Sequence, residues 1–235
     1  AGSISDDSKK TSALKDIAVK LTEARQFDKA LNVAGSISDD SEKASALIDI
    51  ASELAKAGQT QQALQIFNKA LNAAGSISDD SDKAWALRNI AVELAKAGQF
   101  DDAINVAKSI SDGFYKARAL RNIAVELAKA GQFDKAINVA GSISNDSSKA
   151  WALGRIASEL AKAGQFDKAA NVAGSISDDS KKAEALSDIA VELAKAGQFD
   201  KALNVAGSIS DDSDKAQALR DIASELAKAG QFDKA

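Results

Sequence analysis

The 235-residue sequence predicts an all-α protein, an α-solenoid of stacked antiparallel helix hairpins. Two observations predict this class. The motif Gly-Ser-Ile-Ser returns along the whole chain, mostly at intervals of 33 residues, and each interval holds two segments with helical apolar spacing. Because one such repeat is too short to bury its own apolar face, neighbouring repeats must stack to form a shared core.

The repeats follow one another without a linker, so the sequence predicts a single array over residues 1–235. The motif starts, including one Lys-Ser-Ile-Ser variant at the fourth repeat, are Gly2, Gly35, Gly75, Lys108, Gly141, Gly174 and Gly207. The predicted repeats are 2–34, 35–74, 75–107, 108–140, 141–173, 174–206 and a truncated 207–235. The third and sixth repeats agree at 27 of 33 positions. Recent duplication and an engineered consensus array both account for this uniformity, and the sequence leaves the two origins open.

The first half of each repeat predicts a helix, which we name helix A. In the third repeat it covers residues 81–97, where good helix formers dominate. The preceding residues 79–81 are Asp-Asp-Ser, residue types that cap a helix N-terminus, and Lys96 lies in the last turn, where a cation is favourable. The predicted core stripe has the spacing i, i+3, i+4, i+7 and consists of Leu87, Ile90, Ala91 and Leu94.

The second half of each repeat predicts a shorter helix, helix B. Gly98 follows helix A as a residue able to adopt the left-handed conformation that ends a helix. Residues 99–110 then resume helical apolar spacing, with Phe100 near the start and Ile110 at the end. The fold is therefore predicted as an A–turn–B hairpin in every repeat.

Three repeats depart from this pattern. The first has Arg25 where the others have the turn glycine, and the fourth has Gly113 and Phe114 in place of the Asp-Ser of the cap. The second repeat is seven residues longer than the others. Its second half begins with Gln-Thr-Gln-Gln at residues 59–62 and continues as a long B segment. Seven residues are close to two helical turns, so we expect a longer helix B whose apolar face keeps its phase.

The composition excludes several kinds of chemistry. The chain has no His, Cys, Met or Pro, so a zinc site, a disulfide framework and an imidazole-based catalytic pair are excluded. The carboxylates recur once per repeat, as expected of caps rather than of a single catalytic or calcium-binding cluster. We therefore predict no catalytic residues, no metal and no cofactor. The absence of a long apolar run or an apolar leader predicts a cytoplasmic protein that does not enter membranes.

The residue pattern resembles the tetratricopeptide family. Leu87, Ile90, Ala91 and Leu94 have that family's large, large, small, large spacing, and in the long second helix B the small, aromatic, small signature is matched by Ala63, Phe67 and Ala70. Two departures are the 33-residue length and the absence of the helix-ending proline, so the chain is described as tetratricopeptide-like. The resemblance implies a right-handed superhelix in which helix A lines the concave side and binds proteins or peptides.

Differences between repeats concentrate on one face of helix A. In the third repeat the variable positions are Asp82, Trp85, Arg88, Asn89 and Val92, which lie almost opposite the core stripe on a helical projection. This face carries both tryptophans and the one tyrosine of the chain, and Trp, Tyr and Arg are enriched in binding hot spots. The predicted partner-binding residues are Trp85, Arg88, Tyr115, Arg118, Arg121, Trp151 and Arg155.

Three functions remain open from the sequence. The first is a non-enzymatic scaffold that binds a protein or peptide through this face of helix A. The second is a purely structural or engineered array without a ligand, in which exposed positions drift freely and the tryptophans lean on neighbouring helices. The third and weakest is an RNA-reading solenoid, because the net charge is 30 − 34 = −4 and the basic repeats are few.

The two ends predict one further interaction. The chain opens on the tail of a helix B and closes on the head of one, and it lacks a methionine, as expected of an interior stretch of an array. Residues 1–5 and 231–235 are therefore expected to complete one helix between neighbouring molecules and to stack them head to tail.

Overall fold

The computed structural model describes residues 7–230, which form thirteen α-helices and no strand. The A helices are α1 (Asp7–Glu23), α3 (Asp40–Lys56), α5 (Asp80–Lys96), α7 (Gly113–Lys129), α9 (Asp146–Lys162), α11 (Asp179–Lys195) and α13 (Asp212–Lys228). The B helices are α2 (Phe27–Gly35), α4 (Thr60–Ser76), α6 (Phe100–Ser109), α8 (Phe133–Gly141), α10 (Phe166–Gly174) and α12 (Phe199–Gly207). The predicted all-α solenoid of stacked helix hairpins is confirmed.

Helix A begins at an aspartate or asparagine cap. In α5 the N–H groups of Ser81 and Asp82 both donate to the carboxylate of Asp79, at 2.9 Å. The fourth repeat keeps this cap although its next two residues differ, because the carboxylate of Asp112 accepts a hydrogen bond from the N–H of Tyr115 at 2.9 Å. Each cap satisfies N–H groups that have no partner within the helix.

Helix A ends in a turn that requires a left-handed residue. Gly98 has φ +78°, and the N–H of the following Gln99 donates to the carbonyl of Leu94 at 2.9 Å. The first repeat makes the same turn with Arg25 at φ +56°, the one non-glycine residue with positive φ between residues 7 and 230. The backbone hydrogen bonds therefore hold this turn even where the side chain disfavours it.

The B helices are short, with one exception. Five of those in residues 7–230 span 9 or 10 residues, whereas α4 of the second repeat spans 17. Its apolar side stays in register, since Ala63, Ile66, Phe67 and Ala70 are all buried. The extra residues therefore lengthen the helix along the same face.

The chain divides into two compact bodies, Ala1–Ala119 and Leu120–Ala235. The division falls inside α7 and not between repeats. In the N-terminal body α1, α3 and α5 pack on one another in series, and in the C-terminal body α9, α11 and α13 do the same. A B helix such as α4 or α10 packs on the A helix of its own hairpin and on the next A helix. The single array over residues 1–235 stays a prediction.

The packing corrects two details of the predicted face and core. Val92 and Val125 lie at variable positions that were predicted to be exposed, but they are only 8% and 7% exposed. Leu87 was predicted to be in the core and is half-buried, whereas Ala86 next to it is fully buried. An A helix packs on a neighbouring A helix as well as on B helices, as α5 does on α3, α4 and α6, so its buried arc is wider than one stripe.

Two expectations from the sequence are addressed only in part. None of the helices within residues 7–230 is long and apolar enough to cross a membrane. The half-helices predicted to stack end to end, residues 1–5 and 231–235, lie outside the described residues.

Candidate functional site

Trp85 lies beside an open cleft in the N-terminal body. Its side chain projects from α5 and is 40% exposed. The cleft has a volume of about 520 Å³ and is lined by the successive A helices α1, α3 and α5. Ser45 and Ser52 of α3 contribute small side chains to its lining, and Ser45 occupies in α3 the position that the large Trp85 occupies in α5.

Two glutamate–lysine ion pairs line the cleft, and in each pair the glutamate side chain is the less exposed one. Lys56 pairs with Glu53 of the same helix at 2.6 Å, and Lys96 pairs with Glu93 at 2.6 Å. The side chains of the two lysines are 67% and 52% exposed, whereas those of the two glutamates are 44% and 20% exposed. The glutamate side chains are therefore less exposed than the lysine side chains, as they are in the corresponding pairs of the later repeats.

Asp49 adds a third carboxylate to this cleft, from α3. It is accessible to solvent, yet desolvation by the surrounding protein raises the pKa of its carboxyl, against a smaller opposing effect of Lys15. Glu93 and Glu53 raise this pKa further through charge repulsion. Among residues 7–230, no hydrogen bond or close ion pair involves the carboxylate of Asp49.

A smaller cleft of about 280 Å³ lies on another side of Trp85. It is lined by an ion pair between α1 and α3, in which Lys15 and Glu42 approach to 2.5 Å, and by the side chain of Tyr115. The indole of Trp85 is therefore bordered by acidic groups on one side and by an aromatic side chain and an ion pair on the other.

Two arginines and two aromatic residues form a cluster that adjoins both clefts, through Asn89 in the larger cleft and Tyr115 in the smaller one. The Nη1 of Arg88 donates to the amide oxygen of Asn89 at 2.7 Å, and desolvation, followed by the charge of Arg118, lowers the pKa of Arg88. Arg118 lies over the ring of Phe114, with its guanidinium carbon 5.2 Å from the ring centroid. The rings of Phe114 and Tyr115 meet edge to face at 5.4 Å.

Phe114 is the member of this cluster that the sequence-based prediction omitted. It is 61% exposed, the most exposed large apolar side chain among those described. The signal was present in the sequence, because the fourth repeat replaces the Asp-Ser of the cap with Gly-Phe. The sequence did not indicate the contact between Phe114 and Arg118, because a residue at a cap position is not expected to pack against a side chain of the next turn.

The remaining predicted residues belong to the C-terminal body. Arg121 of α7 lies over the ring of Trp151 of α9, 4.5 Å from the ring centroid, in cation–π geometry. Trp151 and Arg155 are half-buried. Ser158 on the same helix donates a hydrogen bond to Asp188 of α11. The two tryptophans therefore differ in environment: Trp151 supports an arginine from the preceding A helix, whereas Trp85 borders an open cleft.

Acidic groups elsewhere do not converge. Within the described range 7–230, no group of three or more His, Cys, Asp or Glu side chains is placed to hold a metal ion. The predicted site residues are thus brought together as two groups, one in each body, made of aromatic rings, guanidinium groups and a cleft.

Stacked helix hairpins with an accessible helix-A face define a helical repeat scaffold. Residues 42–114 match the family described as tetratricopeptide repeat, so the resemblance predicted from the sequence is confirmed over that part of the chain. Proteins of this family are generally non-catalytic scaffolds for protein interactions, and such solenoids use extended surfaces for binding.

Solved structures with a similar arrangement share little sequence with this chain. Ton1535 of Thermococcus onnurineus NA1 is 19% identical, with 93% of this chain and 92% of that chain covered and a TM-score of 0.36. The nearly identical TPR-like repeats of a kinesin light chain candidate from Podosopora anserina are 11% identical over 96% and 99% of the two chains, with a TM-score of 0.43. BtubC of P. vanneervenii is 14% identical over 94% and 92%, with a TM-score of 0.42. No curated protein matches the sequence.

Proposed function

We propose that this chain is a non-enzymatic scaffold that binds a protein or peptide segment through the exposed face of its A helices, with the Trp85 cleft as the main anchor point. The observation that carries the proposal is the indole itself, 40% exposed beside a cleft of about 520 Å³. An indole left in water contributes little to folding, whereas a tryptophan at a concave site is a frequent hot spot of binding.

The aromatic and basic residues around this cleft extend the contact surface. Arg88, Tyr115 and Arg118 lie in the same body as Trp85, and both arginines are already partly ordered, one by Asn89 and the other by the ring of Phe114. Ordering a long side chain before binding lowers the entropy that is lost when the partner arrives. These three residues are proposed as secondary contacts beside Trp85.

The C-terminal body offers a second group for the same role. Arg121 is held over Trp151 at 4.5 Å, so its guanidinium group is oriented before any partner binds. Arg155 lies one helical turn after Trp151 on α9. We propose this group as a weaker contact, because Trp151 is half-buried and has less surface to offer than Trp85.

The proposal is tested with a display library of random dodecapeptides selected on the purified chain. The selected peptides are then titrated against Trp85→Ala and against Gln217→Ala, a matched control at the same position of helix α13, where the side chain is also exposed. Loss of a hot-spot tryptophan is expected to weaken binding by about 2 kcal/mol, or about 30-fold. The control is expected to bind like the parent chain, and both variants to keep their helical circular dichroism.

Two results would contradict the proposal. One is the absence of any peptide that binds at micromolar concentration, which would favour a purely structural array. The other is a set of peptides that bind Trp85→Ala and the parent chain equally well, which would exclude this cleft as the anchor point.

A further inference from the structure

The Trp85 cleft has a chemical character that specifies its occupant. Its less exposed charged side chains are those of the glutamates, since Glu93 is 20% exposed at its side chain while its partner Lys96 is 52% exposed. The same order holds for Glu53 and Lys56, at 44% and 67%. The carboxylates of Asp49, Glu53 and Glu93 line the cleft against two lysines, so its lining is acidic on balance.

Asp49 adds a carboxylate that makes no hydrogen bond or ion pair within residues 7–230, although the charges of Lys15 and Lys56 act on it from farther away. The two glutamates are each paired with a lysine of their own helix, whereas Asp49 has no such partner among residues 7–230. Desolvation, followed by the charges of Glu93 and Glu53, raises the pKa of Asp49, and the opposing charges of Lys15 and Lys56 offset this rise only in part. A cation brought to this point relieves the repulsion and gains a charge-assisted hydrogen bond.

Other side chains that line the cleft can contact the methylene stem of a long basic side chain. The indole of Trp85 provides a π face for a cation, and the nearby side chains of Val19 and Ile48 provide apolar surface for a methylene stem. A short acidic side chain has no comparable fit, because it carries no apolar stem and meets the carboxylates.

Resting on the proposed function, we infer that the partner of the Trp85 cleft is a basic peptide segment, one of whose lysine or arginine side chains enters between Trp85 and Asp49. Neither Arg88 nor Arg118 lines the cleft: Arg88 is held at its edge by Asn89, which does line it, and Arg118 lies over Phe114. Charge complementarity within the cleft carries the inference, and the exposed indole marks its position.

The first test uses an array of random dodecapeptides in which every residue type is equally frequent. Peptides whose binding is lost in Trp85→Ala are expected to be enriched in lysine or arginine. Trp85-dependent peptides without such enrichment, or enriched in acidic residues, would overturn this inference and leave the proposed function standing. An array without any Trp85-dependent peptide would overturn both.

The second test locates the cation. In the tightest arginine-containing binder, each arginine is replaced in turn by citrulline, which keeps the shape and removes the charge. At one position the loss is expected to be about tenfold, the size of one charge-assisted hydrogen bond. That loss is expected to shrink to about twofold or less in Asp49→Asn, because the carboxylate that recognises the charge is gone.

Asp221→Asn is the matched control, since Asp221 occupies in α13 the position of Asp49 in α3. The citrulline effect is expected to stay tenfold in this variant. An equal citrulline effect in the parent chain, Asp49→Asn and Asp221→Asn would place the cation away from Asp49 and overturn the inference. Circular dichroism of all variants ensures that a loss of binding is not a loss of folding.

Discussion

Replacing Arg25 by glycine is expected to stabilise the first hairpin. Arg25 has φ +56°, a left-handed conformation, at a turn where the other repeats have glycine at φ +71° to +78°. Such a conformation costs about 1–2 kcal/mol for a residue with a side chain. Glycine also makes the unfolded chain more flexible, which offsets about 0.4–1 kcal/mol of the gain. The expected net stabilisation is about 0.5–1 kcal/mol.

The side chain of Arg25 has little to lose in this exchange. It is exposed, and within residues 7–230 its guanidinium group makes no hydrogen bond or ion pair. The backbone turn already carries the same hydrogen bonds as its glycine-containing counterparts, with the N–H of Gln26 donating to the carbonyl of Leu21 at 2.8 Å. The stabilisation therefore comes from released backbone strain alone.

Native-state hydrogen exchange is the suitable assay, because a repeat array opens locally as well as globally. Amide protons of α1 and α2 are expected to exchange about two- to fivefold more slowly in Arg25→Gly, the equivalent of about 0.5–1 kcal/mol. The converse control is Gly98→Ala, which is expected to speed exchange in its own hairpin. An added Cβ there would meet no atom within 4 Å, so only the φ of +78° opposes it. Unchanged or faster exchange in Arg25→Gly would refute the reasoning.

Two further predictions concern the core and the cleft. Leu94→Ala is expected to lower the free energy of unfolding by about 2–5 kcal/mol, because Leu94 is 2% exposed. Leu87→Ala is expected to cost about half as much, because Leu87 is half-buried. Guanidinium denaturation measures both, and equal losses would contradict the difference in burial between the two leucines. Asp49→Asn is expected to raise the denaturation midpoint near pH 7 and to have no such effect near pH 3. The folded-state pKa of Asp49 is raised, so ionisation of its carboxyl destabilises the folded chain. This cost appears as the pH rises above the unfolded-state pKa of about 3.9 and is absent below it. A lower midpoint of Asp49→Asn near pH 7 would show that attraction to Lys15 outweighs desolvation.

The helices could be predicted from the sequence because their signals are local and repeated. The cap at Asp79 and the turn at Gly98 lie within one helical turn of the residues they affect, and the structure has both. The burial of Val92 and the half-exposure of Leu87 could not be predicted in this way. Both depend on how A helices lie against one another, and a single helical projection contains no information about a second helix.

Some residues of the candidate site could likewise be predicted from the sequence, and others could not. Trp85, Arg88 and Tyr115 were found from the sequence because they vary between otherwise uniform repeats, and the structure places them in one body. The role proposed for Asp49 has no signal in the sequence, because its position holds Asp or Asn in most repeats. Its carboxylate matters only through the neighbours that α1 and α5 bring to the cleft.

The sequence by itself determined that this chain is a helical repeat protein, because period, caps, turns and apolar spacing are properties of contiguous residues. It also determined where variation falls, since each repeat serves as a reference for the others. The tertiary structure alone decided that one tryptophan borders an open cleft while the other supports an arginine, and that the carboxylates of Asp49, Glu53 and Glu93 line the cleft beside Trp85. Those differences arise from side chains on separate helices, whose distances are set by packing and not by their order in the chain.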